Sequence, residues 1–345
     1  MKTGVLRDNR YMEHDMGDFH PENPRRLEVI YRMLDEEISF DYSTIEPRIG
    51  TDEEIQWIHT ESHVHAIKKT SGIERVMLDL DTSTSARSYE VATLAVGGVL
   101  KTAELIMNGD ITNAFAFIRP PGHHAEASQA MGFCLFNNIA VAAEYLQRKH
   151  GLKRILIVDW DLHHGNGTQH SFEQSKDILY FSTHQFPHYP GTGHWSEKGD
   201  GEGEGYTVNV PLRPGKTDQD YIYIFEKVLS PIAGAFEPEF ILVSAGFDIY
   251  EDDPLGGMLI SDRGFGAMTF SLLQMAKSVC QDRILFALEG GYSSEGLSSG
   301  SKQALLQLSG QAQKPDIDDT ASSQTLQELQ SVLEIHRKHW PLQPE

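Results

Sequence analysis

The sequence predicts an α/β protein: one domain spanning residues 1–345, with a mostly parallel central sheet and helices on both faces. Two observations carry this prediction. Short, nearly continuous apolar runs alternate with amphipathic stretches, as expected of strands buried on both sides and joined by helical crossovers. Chemically distinctive polar residues then follow strand after strand at the carboxyl end, the edge where open parallel sheets bind ligands.

The elements follow in chain order. PRRLEVIYRMLDEE (24–37) has helical periodicity and is one example of the helices that the N-terminal part holds. YMEHDMGDF (11–19) and HPENPRRL (20–27) read as a loop at the rim of a site. WIHTESHVHAIKK (57–69) reads as a partly exposed helix. No carboxylate-rich strand end accompanies its His59, His63 and His65, so they are not assigned a second metal. The strands are AFAFI (114–118), RILIVDW (154–160), ILYFS (178–182), YTVNVPL (206–212), FILVSAG (240–246) and RILFALEGG (283–291). Helices are predicted over 137–151, closed by a glycine, and over 261–280. The acidic GDGEGEGY (199–206) reads as a flexible loop whose charge suits cationic substrates. Residues 310–323 are polar and irregular, and 324–339 form a docked C-terminal helix.

Composition narrows the function. At 345 residues and 39% hydrophobic residues, the chain can bury a large core without staples. A formal net charge of −21 excludes a non-specific nucleic-acid binder, which needs a basic surface. It suits a cationic substrate or simple solubility. Two cysteines, Cys134 and Cys280, are too few for a disulfide framework or a thiolate zinc site; Cys134 reads as packing. No run is long enough to span a bilayer. The expectation is a soluble, cytoplasmic protein with no membrane partner.

The chemistry concentrates in VDWDLHHGNG (158–167). A buried strand end rejects unpaired charge, so two aspartates and two histidines there call for a counter-charge. In extended chain Asp159, Asp161 and His163 share one face. Asp161 and His163 are oxygen and nitrogen ligands for one divalent ion, and a catalytic zinc takes three protein ligands. Asp248, directly after the apolar run 240–246, is the candidate third. Such a set also accepts iron, cobalt or manganese. RPPGHHAE (119–126) supplies His123 and His124 as acid and base for a metal-activated water. In isolation two tandem loop histidines would read as surface residues. Asp159 and Asn166 are candidate partners whose different charges would separate the two imidazole pKa values. Tyr292, after Gly-Gly in LEGGY, can donate a hydrogen bond to a developing oxyanion; its bland alternative is a buried, satisfied tyrosine.

These blocks carry a resemblance. RPPGHHAE, MGFCLFNNIAVAA, DWDLHHGNGTQ, PGTG, NVPL, GFDIYEDDPLGGM and LEGGY, in this order, resemble the zinc-dependent histone deacetylase family of the arginase/deacetylase superfamily. The likeness is to its class II branch and to bacterial histone deacetylase-like amidohydrolases. The resemblance implies zinc on Asp161, His163 and Asp248, with His123 and His124 beside the reacting water and His124 as general base and acid. It implies Asp159 and Asn166 as their partners and Tyr292 polarising the scissile carbonyl. It further implies that the Gly132 carbonyl accepts from the substrate amide, that Phe133 and Tyr189 wall a narrow tunnel, and that Ser85 lies at the rim near substrate backbone. Tyr189 departs from the more usual phenylalanine. Structural potassium is implied at Asp159, Asp161, His163, Ser182 and Thr183, and at a second site near Phe172, Ser175, Ile178 and Tyr206.

The implied reaction is hydrolysis of an acetyl or acyl amide on a primary amine. Two substrates compete: acyl-lysine in peptides or proteins, and acetylated polyamines. Polyamine-selective relatives carry an acidic gatekeeper where this chain has Leu255, which favours acyl-lysine; the net charge pulls weakly the other way. An arginase-type binuclear manganese enzyme would need a carboxylate at Tyr250. A non-catalytic acyl-lysine binder would be expected to lack Tyr292 or a histidine, and both are present. Homo-oligomers are common among bacterial members, so self-association is a candidate, although no segment marks an interface.

Overall fold

In the computed structural model, which describes residues 2–17 and 19–343, ten strands are present. They are β1 (Thr3–Leu6), β2 (Ser43–Ile45), β3 (Val76–Met77), β4 (Ser83–Thr84), β5 (Asn113–Ala116), β6 (Ile155–Asp159), β7 (Ile178–Gln185), β8 (Thr207–Leu212), β9 (Phe240–Ala245) and β10 (Ile284–Leu288). Eight form one sheet in the order β2-β1-β5-β10-β9-β6-β7-β8, and every pairing in it is parallel. β3 and β4 make a small antiparallel ribbon. Met1, Asp18 of the 11–19 loop, Pro344 and Glu345 lie outside the described residues.

Every residue of β5, β6, β9 and β10 is buried. That burial on both faces is why the runs are continuously apolar rather than alternating. One helical group packs Ser88–Met107 on Asn138–His150. Another packs Arg25–Glu36 on Ser294–Leu308 and that helix on Asp262–Val279. Helix ends match local chemistry: Asn137 and Ser261 accept from the N–H groups of Ala140 and Gly264, satisfying orphan donors of the first turn. Trp160 lies within 5.5 Å of Phe286 and 6.4 Å of Phe225 between ring centroids, and its indole donates to the Gly246 carbonyl at 2.9 Å.

Several expectations need correction. The N-terminal part holds helices as read, and β1 and β2, which the sequence reading did not propose, add two strands to the sheet. HPENPRRL is not wholly a rim loop: Glu22 and Arg26 are buried and pair at 3.0 Å. In the 11–19 loop, Tyr11 and His14 are also buried. His59 and His63 are buried rather than partly exposed. Both ring nitrogens of His59 face backbone, at the Glu126 carbonyl and the Asn137 N–H, His63 Nε2 faces the Leu135 carbonyl, and among the described residues neither ring belongs to a group that could hold a metal. The acidic loop is tied by the Asp200 N–H to the Glu173 carbonyl and lies against Trp340, whose indole donates to Gly205; none of it lines the central cavity. The C-terminal helix, Ser323–His336, buries Leu329, Val332 and Leu333 beside β8. Among the described residues no helix is long and apolar enough to cross a membrane.

Candidate active site

The four central strands β5, β10, β9 and β6 are neighbours, so the loops at their carboxyl ends converge. They deliver residues 119–126, 289–293, 246–258 and 160–167 to one place. Asp161, His163 and Asp248 meet there, with one ligand atom from each within 4.8 Å of the others. His163 Nδ1 is 3.2 Å from Asp161 Oδ1 and 3.1 Å from Asp248 Oδ2. The strand ends at Asp159, so strict alternation stops there, yet Asp159, Asp161 and His163 still gather on one side. Backbone amides aim the carboxylates. Leu162 N–H donates to Asp248 Oδ1 at 2.9 Å, and Gly290 N–H to Asp161 Oδ2 at 2.7 Å. A Cβ at Gly290 would lie 2.3 Å from Asp248 Oδ2, so only glycine lets that amide approach.

The electrostatics favour a cation. Burial pushes Asp248 up to about 7, and Asp161 adds to the rise. Asp161, although buried, is held well below the usual range by His123 and His163. Burial works against His163, but its hydrogen bonds to Asp161 and Asp248 raise it to about 9. The preference for a cation between the two carboxylates marks a place where a metal ion could be held. One imidazole nitrogen and two carboxylate oxygens suit a divalent ion such as zinc. Tyr250 is buried, and no carboxylate stands at its position for a second metal.

The two adjacent histidines have different partners. His123 Nδ1 is 3.1 Å from Asp159 Oδ2, and His124 Nδ1 is 2.8 Å from Asn166 Oδ1. Burial opposes charge on both rings. Asp161 and Asp159 overcome it at His123 and raise it to about 10. Burial, then His123 and His163, drive His124 well below the ordinary value. Two imidazoles with opposite charge preferences thus stand side by side, 4.0 Å apart. Beneath them Glu289 accepts from the N–H groups of Gly122 and His123.

A cavity of about 250 Å³ leads to these groups, lined by Gly132, Phe133, Tyr189, Leu255 and Tyr292 with His123, His124 and His163. Gly132 and Phe133 have φ of 54° and 69°. A Cβ on Gly132 would sit 2.4 Å from the His124 ring, so this turn needs glycine. Tyr292 stacks beside Arg26, whose guanidinium lies 5.1 Å from its ring, and its N–H donates to Asp253 Oδ2 at 2.7 Å. Arg26 also donates to the carbonyls of Glu289 and Gly291. Glu22 holds Arg26 and Arg119 together. Burial would raise its carboxyl, but Arg119 and then Arg26 hold it down at about 2.

Ser85 is not brought to the cavity. Its hydroxyl instead accepts from the Asp15 N–H and pairs with Ser88. Asp81 and His188 line the cavity instead, and the sequence reading missed both. Asp81 is carried by the β3–β4 ribbon, whose two-residue strands leave no periodic signal; His188 stacks on His163 at 5.2 Å. Ser182 stands in register beside Asp159, followed by Thr183. Phe172, Ser175, Ile178 and Tyr206 lie at the opposite end of β7. There the Phe172 carbonyl accepts from Ser175 and the Tyr206 carbonyl from Tyr180.

Comparison with known proteins identifies the family. A family model described as "Histone deacetylase domain" matches residues 20–308. A protein named "Probable deacetylase" from Archaeoglobus fulgidus is 40% identical over 302 residues, covering 86% of this chain and 83% of that protein. "Histone deacetylase 15" of Arabidopsis thaliana is 42% identical over 351 residues, covering 98% of this chain, and this chain spans only 63% of that protein. The solved structure titled "Crystal Structure of HDA15 HD domain" superposes with a TM-score of 0.93 at 41% identity, covering 99% of this chain and 97% of that one.

Proposed function

Because the chain belongs to the histone deacetylase domain family, we propose that it hydrolyses the acetyl or acyl amide on the lysine side chain of peptides or proteins. The observation that carries the reading is the Asp161–His163–Asp248 trio beside two histidines with opposite preferred charges, at the end of a narrow cavity. Zinc on that trio would polarise the carbonyl and acidify a water.

The chain's own groups do the rest. His124, neutral with Nδ1–H directed at Asn166, takes the water proton at Nε2 and returns it to the leaving amine. His123, charged through Asp159, stabilises negative charge developing beside it. The Tyr292 hydroxyl donates to the carbonyl oxygen as that oxygen gains charge. The Gly132 carbonyl accepts from the substrate amide, Phe133 and Tyr189 wall the alkyl chain, and Asp81 at the mouth accepts from substrate backbone. Potassium at Asp159, Asp161, His163, Ser182 and Thr183 would offset the charge of the buried aspartates.

Leu255 lines the cavity where a cationic polyamine would need an acidic partner, which favours acyl-lysine. Acetylated polyamines are the second reading, supported by Asp81 in the cavity lining and the net charge. The test is amine release by zinc-loaded protein from an acetyl-lysine peptide and from N-acetylated polyamines. Peptide turnover supports the proposal. Turnover of polyamines alone overturns its substrate class, and turnover of neither overturns the reaction.

A further inference from the structure

His124 is paired with an amide rather than a carboxylate, and that creates a choice. An asparagine side chain can face a ring nitrogen with either its oxygen or its NH2. With Oδ1 forward, Asn166 accepts from His124 Nδ1–H, and Nε2 keeps its lone pair toward the cavity. With the NH2 forward, Asn166 donates to Nδ1. The ring proton then sits on Nε2, where the imidazole cannot act as a base. A carboxylate at position 166 would accept through either oxygen and pose no such choice.

The structure supplies a group that decides it. Asn166 Nδ2 donates to Oε1 of Glu126, and a carboxylate offers that NH2 only acceptors. The same Nδ2 reaches the His124 carbonyl at 3.4 Å. Glu126 is itself fixed. His170 Nδ1 lies 2.8 Å from its Oε1, its carbonyl bonds the His59 ring at 2.9 Å, and its N–H donates to the Gln129 carbonyl at 2.9 Å. Glu126 does not line the cavity, so it reaches the reacting atoms only through Asn166.

We propose that Glu126 is a positioning residue that selects the amide orientation of Asn166 and, through it, the Nδ1–H tautomer of His124. The proposal rests on the reading of His124 as the base. Its test compares kcat and KM on an acetyl-lysine peptide for zinc-loaded wild type, E126A, E126Q, N166D and E126A/N166D. Nitrogen-15 NMR of the histidine rings reports the His124 tautomer in the same proteins.

The expected pattern is specific. E126A lowers kcat by about 10-fold to 100-fold, with KM within about twofold, and mixes the His124 tautomers. E126Q, which can face Asn166 with either its oxygen or its NH2, recovers kcat and the Nδ1–H tautomer only in part. In the N166D background the second substitution, E126A, costs nothing, because a carboxylate needs no orienting and a like-charge contact is removed. Equal losses from E126A in both backgrounds would show a merely structural role and overturn the proposal, as would an E126A protein with wild-type kcat and tautomer. If wild type turns over no acyl-lysine peptide, the functional reading fails, and the NMR comparison still decides whether Glu126 sets the tautomer.

Discussion

His163 Nδ1 stands 3.1 Å from Asp248 Oδ2, although 85 residues of chain separate them. The contact exists because β6 and β9 are hydrogen-bonded neighbours with Asp159 opposite Ser244, so both loops leave the sheet at one level. An imidazole held between two buried carboxylates is an arrangement that could hold a metal ion. Asp248→Asn keeps the shape and removes one charge. It is expected to weaken zinc binding by at least about tenfold, read as metal content after dialysis against a chelator. A variant that retained one zinc per chain would remove Asp248 from the ligand set.

The Tyr292 backbone N–H donates to Asp253 Oδ2, not to Asp161, His163 or Asp248. Removing its hydroxyl should therefore leave the metal in place while removing a donor to the developing oxyanion. Tyr292→Phe is expected to lower kcat by about 10²–10³ at unchanged metal content and nearly unchanged KM. Full activity in that variant would assign the oxyanion to other donors.

Leu255 lines the cavity wall and its N–H is pinned by Asp253 Oδ1 at 2.9 Å. A carboxylate there would meet the ammonium groups of a polyamine and nothing in a neutral lysine stem. Leu255→Glu should shift the ratio of kcat/KM for acetylated polyamine over acetyl-lysine peptide upward by about tenfold, the effect of one new charge pair of roughly 1.4 kcal/mol. An unmoved ratio would place selectivity elsewhere on the rim.

What the sequence shows in advance follows physical lines. β5, β6, β9 and β10 are visible as apolar runs because a parallel sheet buries both of their faces. The Asp161–His163–Asp248 trio is visible as a candidate because its members stand within a few residues of the ends of such runs. β1 and β2, of four and three residues, are too short to show any period. Helix Ser88–Met107 is apolar around most of its circumference, so it presents no amphipathic stripe. Asp81 and the Glu22–Arg26–Arg119 cluster escape because their meaning depends on pairing across distant parts of the chain. Nothing local in HPENPRRL announces that its glutamate and second arginine are interior.

His336, on the C-terminal helix and far in sequence from the site, should govern part of the acid sensitivity of the fold. It is fully buried, and among the described residues neither ring nitrogen has a hydrogen-bond partner. Burial, reinforced by His339 and Lys198, lowers its pKa from 6.5 to about 4. The folded state therefore resists a proton that the unfolded chain accepts. Stability from this group is complete above pH 6.5 and is lost as pH falls toward 4. At pH 5 the loss is about 2 kcal/mol. His336→Leu, of similar volume, removes both the unpaired polar atoms and the titration. It should raise the urea midpoint at pH 8 modestly, since an unsatisfied buried polar group costs about 1–3 kcal/mol, and raise it more at pH 5. A gain identical at the two pH values would mean that His336 is protonated alike in the folded and unfolded chains.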